Sequence, residues 1–211
     1  MSQRTALIAG ASGLTGSFLL QKLLDAPEYN AVKALVRKPL PITHPKLEQI
    51  ITRFDDLPEL NLQCEDVFCC MGTTIATAGS KEAFRRVDLE IPLALAREAR
   101  KQGAQHYLLI SAMGANEKSM IFYNRIKGEL ERELRQLDYP GLFIFHPSML
   151  DGPRTENRTG ERIGQALMRA LDFLIPKNYK IIHVEKVAQS MLQHALQAKS
   201  GVHVIPSGEM Q

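Results

Sequence analysis

Ala6-Leu7-Ile8-Ala9-Gly10-Ala11-Ser12-Gly13-Leu14-Thr15-Gly16 carries the strongest structural signal in this 211-residue chain. The apolar run that stops at Gly10 reads as a buried strand. The spacing Leu14, Phe18, Leu19, Leu23, Leu24 that follows reads as a helix. Three glycines at GxxGxxG spacing join the two. Gly10 permits a tight turn, Gly13 lets backbone amides approach a pyrophosphate, and Gly16 allows close packing of helix on strand. The helix N-terminus adds unpaired N–H groups and positive dipole density. Ser12, Leu14 and Thr15 therefore join the three glycines as expected phosphate-binding residues. A glycine-rich connection without a ligand has the same composition. The strand before and the helix after favour the nucleotide site.

Outward from that turn, apolar strands recur at residues 31–36, 47–51, 67–71, 105–111 and 142–145. Helical patterns cover residues 80–102, where Pro92 marks a bend or a new helix start, and residues 120–137. Continuous apolar strands separated by helices predict an α/β, Rossmann-type, doubly wound and mainly parallel sheet in a single domain over residues 1–211. Residues 151–180 break the rhythm and read as a small substrate-side, lid-like insertion with a helix near 163–173. A strand at 180–183, a helix at 184–198 and a last strand at 202–205 complete the pattern.

The net charge of +3, without a basic run, argues against a nucleic-acid partner. No apolar stretch reaches membrane-spanning length, so no membrane partner is expected. Cys64, Cys69 and Cys70 make a poor disulfide framework and point to a reducing compartment, read as the cytoplasm. None of the six histidines has metal-ligand spacing, so no metal is expected. Glu129, Glu131, Arg132, Glu133 and Arg135 read as one solvated helix face.

An NAD-selective site places an acid at the end of the second strand to hold the ribose hydroxyls. This chain has Leu35-Val36-Arg37-Lys38 there, with no carboxylate. Arg37 is suited to fork onto a 2′-phosphate, so NADP (NADPH) is favoured over NAD. After the third strand, Asp55 either accepts from the adenine amino group or is simply a turn residue. After the fourth, Gly72 and Thr73 would pass close to the cofactor ribose.

Tyr123 and Lys127 stand at i and i+4, on one face of the long helix. An isolated phenol titrates near pH 10, too basic for efficient proton transfer at neutrality. An adjacent ammonium favours the phenolate, which suits Tyr123 to exchange a proton with a carbonyl or alcohol. Ser111 ends the fifth strand, where it is expected to hydrogen-bond the same substrate oxygen.

Together, the glycine turn, Ser111 and Tyr123-x-x-x-Lys127 resemble the short-chain dehydrogenase/reductase superfamily, specifically its atypical, Tat-interacting-protein-like oxidoreductase branch. Arg86-Val87-Asp88, Leu109–Ala115, Lys127-Gly128-Glu129 and Pro147-x-x-Leu150-x-Gly152-Pro153-Arg154 fall in the same order. The resemblance implies Tyr123 as acid/base and Lys127 as the residue that tunes it and binds the nicotinamide ribose. It implies Ser111 as the group orienting the carbonyl, and Pro147 beside the nicotinamide. Asp88 stands where many extended relatives carry asparagine, and His146 and Ser148 flank Pro147 where Arg-Pro-Gly is usual. In the superfamily the long helix often packs on a second subunit, so the chain is expected as a monomer or homodimer.

The leading function is an NADP(H)-dependent reductase or dehydrogenase acting on a small-molecule carbonyl/alcohol pair. A regulatory or assembly protein that binds NADP(H) without turnover is the alternative. A sugar-nucleotide epimerase is disfavoured because the insertion lacks an evident basic cluster for a diphosphate.

Overall fold

The computed structural model describes residues 4–152 and 176–211. The chain runs β1 (Arg4–Ala9), α1 (Leu14–Asp25), β2 (Tyr29–Val36), β3 (Leu47–Ile51), β4 (Asp66–Cys69), α2 (Ile75–Ala78) and α3 (Lys81–Arg85). A π-helical turn over Arg86–Glu90 leads into α4 (Ile91–Lys101). There follow β5 (His106–Ile110), α5 (Phe122–Arg135), β6 (Gly141–His146), β7 (Leu150–Asp151), β8 (Ile182–His183), α6 (Val184–Gln197) and β9 (Gly201–Pro206). Seven strands form one sheet in the order β3-β2-β1-β4-β5-β6-β9, every neighbouring pair parallel. This is the doubly wound, Rossmann-like architecture expected from the alternation of strand and helix. The order reverses direction between β1 and β4, which opens a crevice beyond their C-terminal ends.

Alternation along each strand divides the core between the two faces. Ile8, Phe68, Leu108, Phe143 and Phe145 pack on α1 and α6 through Leu19, Leu23, Val187 and Met191. Leu7, Val67, Leu109 and Ile144 pack on α4 and α5 through Leu95, Ala99, Ile126, Leu130 and Leu134. Strands buried on both faces read as unbroken apolar runs, which is why they were legible.

Two elements differ from the sequence expectation. The helix predicted over residues 80–102 is divided by the π-helical turn, with Pro92 within the first turn of α4. The helical segment is continuous here, and Pro92, which has no N–H to donate, follows directly on the widened turn in which the Ile91 amide reaches back to the Arg86 carbonyl. The strand predicted at residues 180–183 shrinks to Ile182–His183 and leaves the main sheet to pair with Leu150–Asp151. Most of the proposed insertion at 151–180, including the helix near 163–173, lies outside the described residues.

Candidate active site

The glycine turn is shaped by contact distances. Gly10 has φ +88°, and a Cβ there would lie 2.6 Å from the Cys70 carbonyl oxygen. A Cβ on Gly16 would lie 2.1 Å from the Gly10 carbonyl oxygen. The close approach that Gly16 permits is therefore onto the turn itself. The Gly13 amide closes the turn by donating to the Gly10 carbonyl at 2.9 Å. Ser12 and Gly13 are exposed, Thr15 is buried, and the first turn of α1 contains no acidic side chain. These features fit a dinucleotide phosphate at the α1 N-terminus, where a carboxylate would have opposed it.

Ala9 pairs with Leu35 of β2 and with Cys69 of β4, so the segments after all three strands emerge side by side. Arg37 is exposed just beyond the end of β2. Asp55 is also exposed, and its carboxylate is paired with Arg86 at 2.5 Å. The neighbouring Asp56 accepts from the buried Thr52 hydroxyl.

Beneath the β4 end lies a buried ion pair. Lys127 Nζ stands 2.7 Å from Asp88 Oδ1, with side-chain exposures of 3% and 0%. The second Asp88 oxygen accepts the Thr73 amide at 2.9 Å, and a Cβ built on Gly72 would lie 3.6 Å from Lys127 Nζ. Thus Gly72, Thr73, Asp88 and Lys127 meet in one place. Burial pushes the Asp88 carboxyl up, and Lys127 only partly offsets this. Burial also opposes the charge on Lys127, but Asp88 and then Tyr123 outweigh it and hold the ammonium above the usual lysine range. Tyr123, half-buried one turn earlier, tilts its ring against Phe84 at 5.4 Å.

Ser111 follows β5 and is buried. Its hydroxyl donates to Glu131 Oε1, which also lies 2.8 Å from His146 Nε2. Glu131 is only 7% exposed, which corrects its reading as part of a solvated helix face. It lies one turn beyond Lys127 and beside Leu130 and Leu134, on the stripe of α5 that faces the sheet. Its neighbours on the charged face pair between segments: Glu129 with Arg85, Arg132 with Glu117, and Glu133 with Arg97. Pro147 follows β6, and its carbonyl accepts the Met113 amide at 3.4 Å.

Gly128 lets the β5–α5 loop cross the long helix; a Cβ there would meet the Glu117 nitrogen at 2.1 Å. Among the described residues no cluster of metal-binding side chains occurs, and no helix is long and apolar enough to cross a membrane. Cys64 and Cys69 are buried and Cys70 is partly buried, all as free thiols.

A family profile described as NAD(P)H-binding matches residues 10–173, which takes in the glycine turn, Asp88, Ser111, Tyr123 and Lys127. The chain belongs to that family, in the atypical short-chain dehydrogenase/reductase branch. It is 32% identical over 207 residues to Protein HTATIP2 of Rattus norvegicus, covering 95% of this chain and 85% of that one. It is 35% identical over 157 residues to the mitochondrial protein FMP52 of Eremothecium gossypii, covering 74% and 70%. Among solved structures, MoeE5 in complex with UDP-glucuronic acid and NAD superposes with a TM-score of 0.72 at 20% identity, covering 95% of this chain and 75% of that one. The UDP-glucose 4-epimerase of Thermotoga maritima superposes with a TM-score of 0.70 at 17% identity, covering 97% and 77%. At those identities the likeness is one of fold. The protein is thus a nucleotide-binding protein of oxidoreductase type.

The relatives overturn the expectation of a cytoplasmic location, because the FMP52 proteins of several fungi are named as mitochondrial. The cytoplasmic expectation came from reading Cys64, Cys69 and Cys70 as unpaired thiols, and cysteine usage of that kind is not specific to the cytoplasm.

Proposed function

We propose that the protein is an NADP(H)-dependent oxidoreductase that interconverts a carbonyl and an alcohol. The observation that carries the reading is the buried, charged Lys127, held by Asp88 one helical turn from Tyr123 beside the strand-end crevice. A dedicated ammonium in so dry a place is expensive to maintain, and Tyr123 one turn away is among the groups that interact with its charge. Bound NADPH supplies the hydride. Tyr123 donates the proton to the carbonyl oxygen, and the Lys127 charge favours the phenolate left behind. Asp88 shares that charge and fixes where it sits. Gly10, Ser12, Gly13, Leu14, Thr15 and Gly16 receive the pyrophosphate, and Arg37 reads the 2′-phosphate. Gly72, Thr73, Lys127 and Pro147 lie along the ribose and nicotinamide. Asp55 reaches the adenine only by sharing its carboxylate with Arg86. Ser111 completes the catalytic group.

A second reading, cofactor binding without turnover, is favoured by the partial neutralisation of Lys127 by Asp88. The test is NADPH oxidation across a carbonyl panel by the native protein and by Tyr123→Phe at equal cofactor affinity. Loss of at least tenfold in turnover on substitution is expected, within the usual contribution of a general acid. Turnover unchanged in Tyr123→Phe refutes the mechanism, and tight NADPH binding with no turnover supports the second reading.

A further inference from the structure

The buried hydrogen bonds around Glu131 raise the question of what Ser111 can offer a reactant. Ile110 pairs with Phe145, so the next residues on the two strands, Ser111 and His146, lie side by side. The Ser111 amide donates to the Phe145 carbonyl at 2.9 Å, which fixes the backbone of the pair. Both side chains reach across to one oxygen of Glu131 on α5. An ionised carboxylate only accepts, so both neighbours donate: Ser111 through its hydroxyl and His146 through Nε2–H. A serine has a single proton to give. While it is held by Glu131, Ser111 can act toward a reactant only as an acceptor, and a carbonyl oxygen offers it no proton to accept.

We propose that His146 and Glu131 are positioning residues that hold the Ser111 hydroxyl as a hydrogen-bond acceptor toward the reacting alcohol or the Tyr123 phenol. This rests on the oxidoreductase reading above and revises the part that Ser111 plays in it. Releasing Ser111 to donate elsewhere forfeits a charge-assisted bond in a buried place, where such bonds are at their strongest. His146 completes the arrangement. It shares the same Glu131 oxygen with Ser111, and donating to it sets Nε2 as the protonated ring nitrogen.

Three measurements on the full chain test the proposal. First, the imidazole 1H–15N spectrum of the native protein should show a proton on His146 Nε2, assigned by its loss in His146→Gln, and the signal should move in Glu131→Gln. An unprotonated Nε2 in the native protein, or a signal indifferent to Glu131, overturns the proposal whatever the activity. Second, His146→Leu should lower kcat at least tenfold while leaving KM for NADPH within about twofold, as expected for a misplaced reacting group. Third, His146→Gln, which keeps an N–H at a similar reach, should recover kcat to within about threefold of native. Failure of glutamine to do better than leucine, with both variants folded and binding NADPH normally, overturns it. If the native protein oxidises no NADPH on any carbonyl, the oxidoreductase reading falls and takes the catalytic role of the chain with it. Native turnover unaffected by His146→Leu refutes the positioning role alone.

Discussion

Removing Asp88, Lys127 or both should expose how the buried pair is balanced. At 2.7 Å the attraction between the two charges is about 6 kcal/mol at an effective dielectric constant of about 20. Burying them costs several kcal/mol for each ion, so the intact pair contributes little net stability. A single substitution leaves the survivor buried and uncompensated. Asp88→Asn keeps an acceptor for the Thr73 amide but strands the ammonium, and Lys127→Met strands the carboxylate. Each should cost about 3–5 kcal/mol. The double variant buries no charge at this place, so its cost should fall short of the sum by about 3 kcal/mol. Urea denaturation without cofactor is the assay, because a bound nucleotide would add its own linkage. A chain of this size loses about 2–4 °C of Tm per kcal/mol, so each single variant should melt roughly 10 °C below native. Lys127 holds its proton more tightly folded than unfolded, so its contribution is present below the ordinary lysine value of 10.5 and is lost as pH rises through the folded value. Single variants that each cost under about 1 kcal/mol and simply add would refute the reasoning.

Gly16→Ala should raise the Kd for NADPH at least a hundredfold by titration calorimetry, because its methyl must displace a carbonyl oxygen only 2.1 Å away; a Kd within threefold of native counts against the turn geometry. Arg37→Asp should weaken NADPH at least tenfold more than NADH, and equal losses would show that Arg37 does not read the 2′-phosphate. Asp66 accepts from Arg4 at 2.5 Å and Tyr29 at 2.6 Å, with His106 Nδ1 at 2.7 Å, near the N-terminal ends of the strands. Asp66→Ala should cost about 3–5 kcal/mol in urea yet leave NADPH affinity unchanged, and a parallel loss of affinity would contradict that separation. Burial raises the Cys64 and Cys70 thiols and the Tyr107 and Tyr139 phenols, so the folded chain keeps protons that the unfolded chain releases. Stability should therefore fall as pH climbs past the unfolded thiol value of 9.0, by about 1 kcal/mol per thiol over the next pH unit; a urea midpoint flat across that range refutes it.

The parts of the site that sequence carries best are local. Gly10, Gly13 and Gly16 with their flanking elements form one continuous stretch, and its closing hydrogen bond and the Gly16 contact are internal to it, although the Cys70 carbonyl against Gly10 comes from the end of β4. Lys127 was also legible, since i and i+4 spacing on a helix is a fixed relation. Its partner was visible only as a departure: Asp88 stands thirty-nine residues away, and nothing local places its carboxylate under β4. Glu131 shows the reason in sharper form. Among Glu129, Arg132 and Glu133 it looks like one more solvated charge, because charge density hides phase. Counting from Ile126, Leu130 and Leu134 would have placed it on the edge of the buried stripe, but its donors come from two strands that sequence order separates. The strand expected at residues 180–183 was misplaced for a related reason. Its apolar run was visible, but its pairing with Leu150–Asp151 is non-local.

The two buried charges of α5 make a joint argument about register. Lys127 and Glu131 are one turn apart and of opposite sign, and each is held by a different neighbour, Lys127 by Asp88 of the π-helical turn and Glu131 by Ser111 and His146 at two strand ends. Lys127 meets Asp88 and the β4 end, whereas Glu131 meets the ends of β5 and β6. Rotating the helix by one residue, about 100°, would swing both out of reach together. An apolar stripe would also leave the core on so large a turn, but it loses little in small rotations or shifts that keep it covered, whereas directional bonds to fixed partners are broken by them. Buried ion pairs are weak as stabilisers, and fixing a register is their best-attested use. On this account α5 is keyed at two points, and the keys lie on either side of Gly128, where the β5–α5 loop crosses. Tyr123, one turn before the first key, inherits its position from them. A variant with both keys made apolar, combined with Asp88→Asn so that no carboxylate is stranded, should therefore stay folded while Tyr123 loses its fixed place, seen as broadened Tyr123 ring resonances beside sharp core methyl signals. Tyr123 resonances as sharp as native in that variant would show that the apolar stripe alone sets the register.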